Sequence, residues 1–338
     1  MISLLKCFLG MLISFIFALI IGFLLIPKLK KLNAKQTLSI YLEERHNEKK
    51  GTPTLGGLIF ILSSIITLII MSLFGKITFT YNLAIVLITF VGYAFIGFLD
   101  DYLIIKRHDN QGLTEKQKLL LQILVAVIFF ALFLLAGNEP LIWIHTLNVK
   151  INIGFLYGFF IMFVLVASSN AVNLTDGLDG LAGGLSFIAL ITFGILANYT
   201  SWLSGNETIG IFLFILAGGV LGFLYFNSHP AKIFMGDTGS LALGATLGAT
   251  SIVTRHELLL VLVGIVFVIE TLSCLIQRVY YKRTKKRLFK MTPIHHSFEK
   301  SGWKEEDIVR LFWIVAIIAS LIAVSFGVFL WEKRNYFG

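Results

Sequence analysis

Five aspartates in three short motifs carry the chemistry that this sequence is equipped to do. Asp100 and Asp101 stand in GFLDDY, Asp176 and Asp179 in NLTDGLDG, and Asp237 in IFMGDTGS. Cations are interleaved with them: Lys49 and Lys50 before GTPTLGG, then Lys106, Arg107, Lys116, Lys118 and Lys232. A histidine pair, His295-His296, follows in MTPIHHSFEK. Hard carboxylate oxygens with few histidines and no cysteine among them favour Mg2+ or Mn2+ over zinc. Mg2+ is usually held by one or two carboxylates together with substrate phosphates. Acids for a metal and lysines for phosphate suit phosphoryl transfer, where charge on the moving group must be neutralised. A cation channel needs the acids but not the lysines. The glycines of TDGLDG, MGDTGS and GTPTLGG let the backbone approach an anion closely. Ordinary loop charge explains any one of these acids but not five that gather on one side of the chain's spans.

The elements that must position these residues are membrane helices. The chain has 338 residues, 57% hydrophobic and 14% charged, whereas a soluble domain needs about a quarter charged. Apolar stretches of about 18 residues or more, each able to cross a bilayer, predict an all-α polytopic integral membrane protein with about ten transmembrane helices. They fall near 3–26, 55–75, 80–99, 118–136, 153–171, 178–198, 208–226, 239–254, 257–278 and 308–331. The first is too long for a signal peptide and lacks an Ala-x-Ala site, so it is read as a retained span. The eighth is Gly/Ala/Thr-rich, as a closely packed interior helix would be.

Ten spans put both termini on one side. The loops at 28–50, 100–118, 172–177, 227–238 and 279–307, with Arg278 and Arg310, hold 22 of the 28 Lys and Arg. The positive-inside rule places these loops in the cytoplasm and both termini outside. All five aspartates lie on that cytoplasmic side, where the active site is expected. An Asp at a helix centre costs about 2.5–3.5 kcal/mol on insertion scales; at the boundary the groups can share a hydrated cavity. The charge asymmetry accounts for the net +9, so no nucleic-acid partner is expected. Cys7 and Cys274 lie in apolar segments without metal-ligand spacing. A short hairpin is expected within 137–152, and the whole of 1–338 reads as one membrane domain.

At the three acidic motifs the sequence resembles the polyprenyl-phosphate N-acetylhexosamine-1-phosphate transferases. The motifs match in order and at comparable spacing, and the resemblance runs from about Lys49 to Trp313. KKGTPTLGG and MTPIHHSFEKSGWKEEDIVRLFW are similar to the branch of that family whose donor is UDP-N-acetylmuramoyl-pentapeptide. The resemblance implies an Mg2+-dependent transferase of the bacterial cytoplasmic (inner) membrane. Its acceptor would be undecaprenyl phosphate and its products lipid I and UMP, the first membrane step of peptidoglycan synthesis. It implies Asp237 as a metal ligand, with Asp176 as a second, and Asp100 as base or nucleophile with Asp101 beside it. Lys118, His295 and His296 are counted with the catalytic residues. Asn173, Asp176, Gly177 and Asp179 would serve metal and uridine binding, with Phe234 stacked on uracil and Lys49 and Thr54 nearby. Asn227 and Gln277 match other active-site positions, and the family allows for a homodimer.

One departure stands out, because the family shows three consecutive histidines where this chain has His295-His296-Ser297. The first two are expected to carry the role, with Ser297 tolerated. Two mechanisms remain open: direct attack by the lipid phosphate on the donor's β-phosphorus, or a covalent intermediate on Asp100. Glu270, inside the ninth span, is either a structural partner for a neighbouring helix or part of the pocket, with the structural reading preferred. A secondary transporter is the rival from another class, but it would carry its acids near the midplane between inverted repeats. A transferase of N-acetylglucosamine-1-phosphate is the rival within the family.

Overall fold

The computed structural model describes residues 2–31, 51–107, 111–144, 149–199 and 205–329. Among these residues twelve α-helices follow one another: α1 (Ile2–Lys31), α2 (Gly57–Leu73), α3 (Tyr81–Arg107), α4 (Glu115–Leu135), α5 (Leu156–Thr175), α6 (Leu181–Tyr199), α7 (Asn206–Asn227), α8 (Gly236–Val253), α9 (Glu257–Val263), α10 (Ile265–Thr284), α11 (Ile294–Lys300) and α12 (Glu305–Val324). A π-helical turn, Ser325–Phe329, prolongs α12. The protein is thus an all-α polytopic membrane protein. Among the described residues, seven helices are long and apolar enough to cross a bilayer, and α9 with α10 makes an eighth if that bent pair is one span.

Every predicted span overlies a helix, and the differences have physical causes. Helix α2 is only 17 residues long. Helix α8 is poor in large apolar side chains because it is not a lipid-facing element. Of its residues only Asp237 escapes burial, and it packs on α3 and α5. Gly, Ala, Ser and Thr suit such a position because they let neighbouring backbones approach. Helix α7 is similarly enclosed, with only Glu207, Leu221 and Tyr225 outside the buried set. The span expected at 257–278 is broken at Gly264, where α9 and α10 meet at 82°. The third span does not end at Asp100-Asp101: α3 runs on to Arg107 and keeps both carboxylates on a rigid helix.

Strands β1 (Leu141–Ile144) and β2 (Val149–Asn152) pair antiparallel, with Leu141 opposite Asn152, and form the hairpin expected within 137–152. Arg255, just past α8, donates to the carbonyls of Leu141 (2.9 Å) and Glu139 (2.7 Å), which ties this hairpin to the end of α8 remote from Asp237.

Candidate active site

The site is built on the start of α8. The first N–H groups of a helix have no partner within it, and here Asp101 supplies one from α3. Its carboxylate accepts from the backbone N–H groups of Asp237 (3.2 Å) and Thr238 (2.9 Å) and from the Thr238 hydroxyl (2.6 Å). A negative group there is also favoured by the helix dipole. Two glycines make this contact fit. A Cβ on Gly97, one turn before Asp101, would run into the Asp237 carbonyl. Gly236 has φ +73°, and a Cβ on it would sit 2.5 Å from Asp101 Oδ2 and 2.6 Å from Thr54 Oγ1. The DD and MGD motifs are two sides of one packing contact.

With its backbone fixed, Asp237 turns its carboxylate to two helices, α4 and α5. Lys118 of α4 pairs with Oδ2, and Asn173 of α5 donates to Oδ1 (2.7 Å) and to Ser240 Oγ (2.9 Å). Lys118 Nζ also lies 3.7 Å from Asp100 Oδ2. Asp100 Oδ1 accepts from the backbone N–H of Leu113 (2.8 Å). Lys118 is placed by a capping box at the head of α4: Thr114 Oγ1 accepts from Gln117 N–H, and Gln117 Oε1 accepts from Thr114 N–H. Asp100, Asp101, Lys118, Asn173 and Asp237 therefore form one cluster. Two carboxylates share a single ammonium there, so the space between them calls for positive charge. The donors are hard oxygens, which fit Mg2+ better than a softer metal.

The TDGLDG loop lies alongside. Asp176 closes α5, its N–H reaching back to the Asn173 carbonyl (3.2 Å). A Cβ on Gly177 would strike Nε2 of His295, so this glycine admits the histidine loop. Asp179 Oδ2 is 3.0 Å from His229 Nδ1 and accepts from Ala231 N–H (3.0 Å), while its own N–H donates to Glu305 (2.5 Å). Asp179, His229 and Glu305 hold potential ligand atoms within 4.8 Å of one another, a grouping distinct from the expected pair of Asp237 and Asp176. Neither His229 nor Glu305 was singled out from the sequence, although His229 lies in the NSHPAK stretch leading into IFMGD.

Asn227 and Gln277 act on loop backbone. Asn227 accepts from Gly180 N–H (3.1 Å) and donates to the Ile233 carbonyl (2.9 Å), joining two acidic motifs. Gln277 Oε1 accepts from Leu288 and Phe289 N–H, each at 3.0 Å. Phe234 is half-buried; its N–H donates to the Pro53 carbonyl and its carbonyl accepts from Gly56 N–H, both at 2.8 Å. That brings GTPTLGG and buried Thr54 beside IFMGD. Lys49 lies outside the described residues. His295 is fully buried, with Nδ1 3.1 Å from Glu270 Oε1. His296 Nδ1 lies 2.6 Å from Glu299 Oε2. Ser297 folds back, donating to the Met291 carbonyl (2.5 Å) and accepting from Met291 N–H (3.1 Å). The residue that departs from the three-histidine pattern thus braces its own loop.

Comparison with known proteins identifies the family. The family model described as glycosyl transferase family 4 matches residues 83–255, from early α3 to the end of α8. A phospho-N-acetylmuramoyl-pentapeptide-transferase of Staphylococcus carnosus (strain TM300) is 47% identical over 319 residues, covering 94% of this chain and 98% of the relative. One of the same name from Staphylococcus aureus (strain bovine RF122 / ET3-1) is 46% identical over 318 residues, covering 92% and 97%. The clustered acids lie within the matched region, and the likeness extends over the histidine loop beyond it. The chain belongs to glycosyl transferase family 4, in the same branch as these bacterial phospho-N-acetylmuramoyl-pentapeptide-transferases.

Proposed function

We propose that this protein transfers phospho-N-acetylmuramoyl-pentapeptide from its UDP-linked donor to undecaprenyl phosphate, giving lipid I and UMP. The observation that carries this reading is the joining of Asp100, Lys118, Asn173 and Asp237 from four helices in one cluster. The names of the relatives supply the donor's sugar and peptide. The reaction belongs in the bacterial cytoplasmic membrane. Counting short α2 and enclosed α8 as spans beside the other eight gives ten, with both termini outside and the acids on the cytoplasmic side. Residues 1–338 then form one membrane domain.

A lipid monophosphate, with its second pKa near ~6, is already largely dianionic at neutral pH. The difficulty lies in bringing two anions together, which calls for preorganised positive charge. Lys118 binds the phosphates, and Asp100 orients the acceptor or takes its remaining proton. Asn173 holds Asp237 in place, and Asp101 fixes the end of α8 that carries it. An Mg2+ held by Asp237 and Asp176 would neutralise charge on the donor diphosphate and on departing UMP. Phe234 stacks on uracil beside Thr54 and Lys49, with Gly177 and Asp179 closing the nucleoside end. His295 and His296 face the sugar-phosphate, while Asn227 and Gln277 hold the surrounding loops in register. Direct attack by the acceptor on the donor's β-phosphorus needs no covalent stage on Asp100.

The test supplies detergent-purified protein with undecaprenyl phosphate and, separately, UDP-N-acetylmuramoyl-pentapeptide or UDP-N-acetylglucosamine. UMP is expected from the first donor only. Release from the second alone would move the protein to the N-acetylglucosamine branch, and silence with both would revive the transporter reading.

A further inference from the structure

Glu270 lies in the second turn of α10, with no accessible surface, and no other charged residue follows it in the helix before Arg278. An ionisable group so placed is costly without a partner. Its partner comes from a different element. His295, also fully buried, has Nδ1 3.1 Å from Glu270 Oε1, and its backbone N–H lies 3.4 Å from Oε2. Among the described residues neither Nδ1 nor Glu270 Oε1 completes a hydrogen bond in this orientation, but at 3.1 Å a small turn of the ring brings the two into line. On its other edge, Nε2 has no hydrogen-bond partner among the described residues and lies against Gly177, just where a Cβ would be. One edge of the imidazole is thus held by a carboxylate, and the other is turned to the TDG loop next to the acidic cluster.

A carboxylate on one ring nitrogen sets the tautomer and orientation of a histidine, as in catalytic triads and in metal sites. We infer that Glu270 is a positioning residue, which keeps the proton on Nδ1 of His295 and presents Nε2 as an acceptor to a hydroxyl or amide N–H of the donor's sugar. This rests on the function proposed above. It explains why a carboxylate is kept inside α10 and why residue 177 is glycine. It also explains why Nε2 stands unpaired in a buried place, since a buried polar atom without a partner is costly. His296 is held separately by Glu299 (2.6 Å), so the two adjacent histidines have different partners.

The experiment combines nitrogen-15 NMR of histidine-labelled protein with kinetics of Glu270→Gln, His295→Ala and the double variant. The signals lost in His295→Ala identify the ring in the unmodified spectrum. Expected there are a protonated Nδ1 and a bare Nε2, with that preference lost in Glu270→Gln. Glu270→Gln should lower kcat by about 10–100-fold, as loss of an orienting partner typically does, with donor KM little changed. Adding Glu270→Gln to His295→Ala should cost nothing further, because the two act as one unit. A spectrum of the unmodified protein with the proton on Nε2 would overturn the inference, whatever the stability of any variant. So would effects that multiply in the double variant, as two independent structural losses would. If the unmodified protein turns over no donor, the proposed function fails, while the NMR result still decides whether Glu270 sets the ring.

Discussion

At the scale of single residues, two neighbouring aspartates do different work. Asp101 spends its carboxylate on the start of α8 through three hydrogen bonds. Asp100 faces Lys118 and one loop N–H. Asp101→Ala should therefore lower stability by about 1–2 kcal/mol, the usual cost of a lost helix cap, and reduce activity as well. Asp100→Asn should abolish most activity while leaving thermal unfolding in detergent nearly unchanged. Equal melting losses in both would contradict this division. Ser297→His, which restores the three-histidine pattern, removes both bonds to Met291; it should lower the melting temperature without raising the rate of UMP release. The acids, Lys118 and Asn173 were legible because carboxylates, lysines and glycines concentrate in short motifs. The difference between Asp100 and Asp101 was not, since identical adjacent residues on a helix point in different directions and sequence does not say what each meets. Asn227 and Gln277 were singled out only through the family resemblance, because their bonds go to backbone carbonyls and N–H groups that become neighbours only on folding.

At the scale of elements, the site depends on how closely α3 and α8 approach. Gly97 lies where any Cβ would meet the backbone of Asp237 and Thr238 rather than a yielding side chain. Gly97→Ala should separate the helices, cost about 1–3 kcal/mol as overpacking does, and remove activity. The readout is UMP release together with the melting temperature. Full activity at normal stability would show that the contact is not needed. Hydropathy located each long helix because bulky apolar runs have no other use at that length. The small residues of α8 marked it as the interior helix it is, but hydropathy missed the break at Gly264, since an isolated glycine in an apolar run is compatible with a continuous span. It also ended α3 at Asp100, because charge was read as the end of the helix although α3 carries on through it to Arg107.

At the scale of the whole molecule, the orientation proposed from the positive-inside asymmetry has the acidic cluster in the cytoplasm and the β1–β2 hairpin outside. Lys290 and Lys150 are both exposed and lie on opposite sides in that arrangement. In a Cys274→Ser background, Lys290→Cys should react with an impermeant maleimide only in inverted membrane vesicles, and Lys150→Cys only in intact cells. The opposite pattern would invert the protein and put the site outside. The central claim is that the residues joined around Asp237 perform a metal-dependent phosphoryl transfer. The most direct measurement is UMP release from UDP-N-acetylmuramoyl-pentapeptide and undecaprenyl phosphate, as Mg2+ is titrated into metal-stripped native protein and Asp237→Asn. Release should rise with Mg2+, stop with EDTA, and fall by about 100-fold or more in the variant, as removal of a key electrostatic group does. Equal release by both proteins, or release that ignores Mg2+, would contradict that claim.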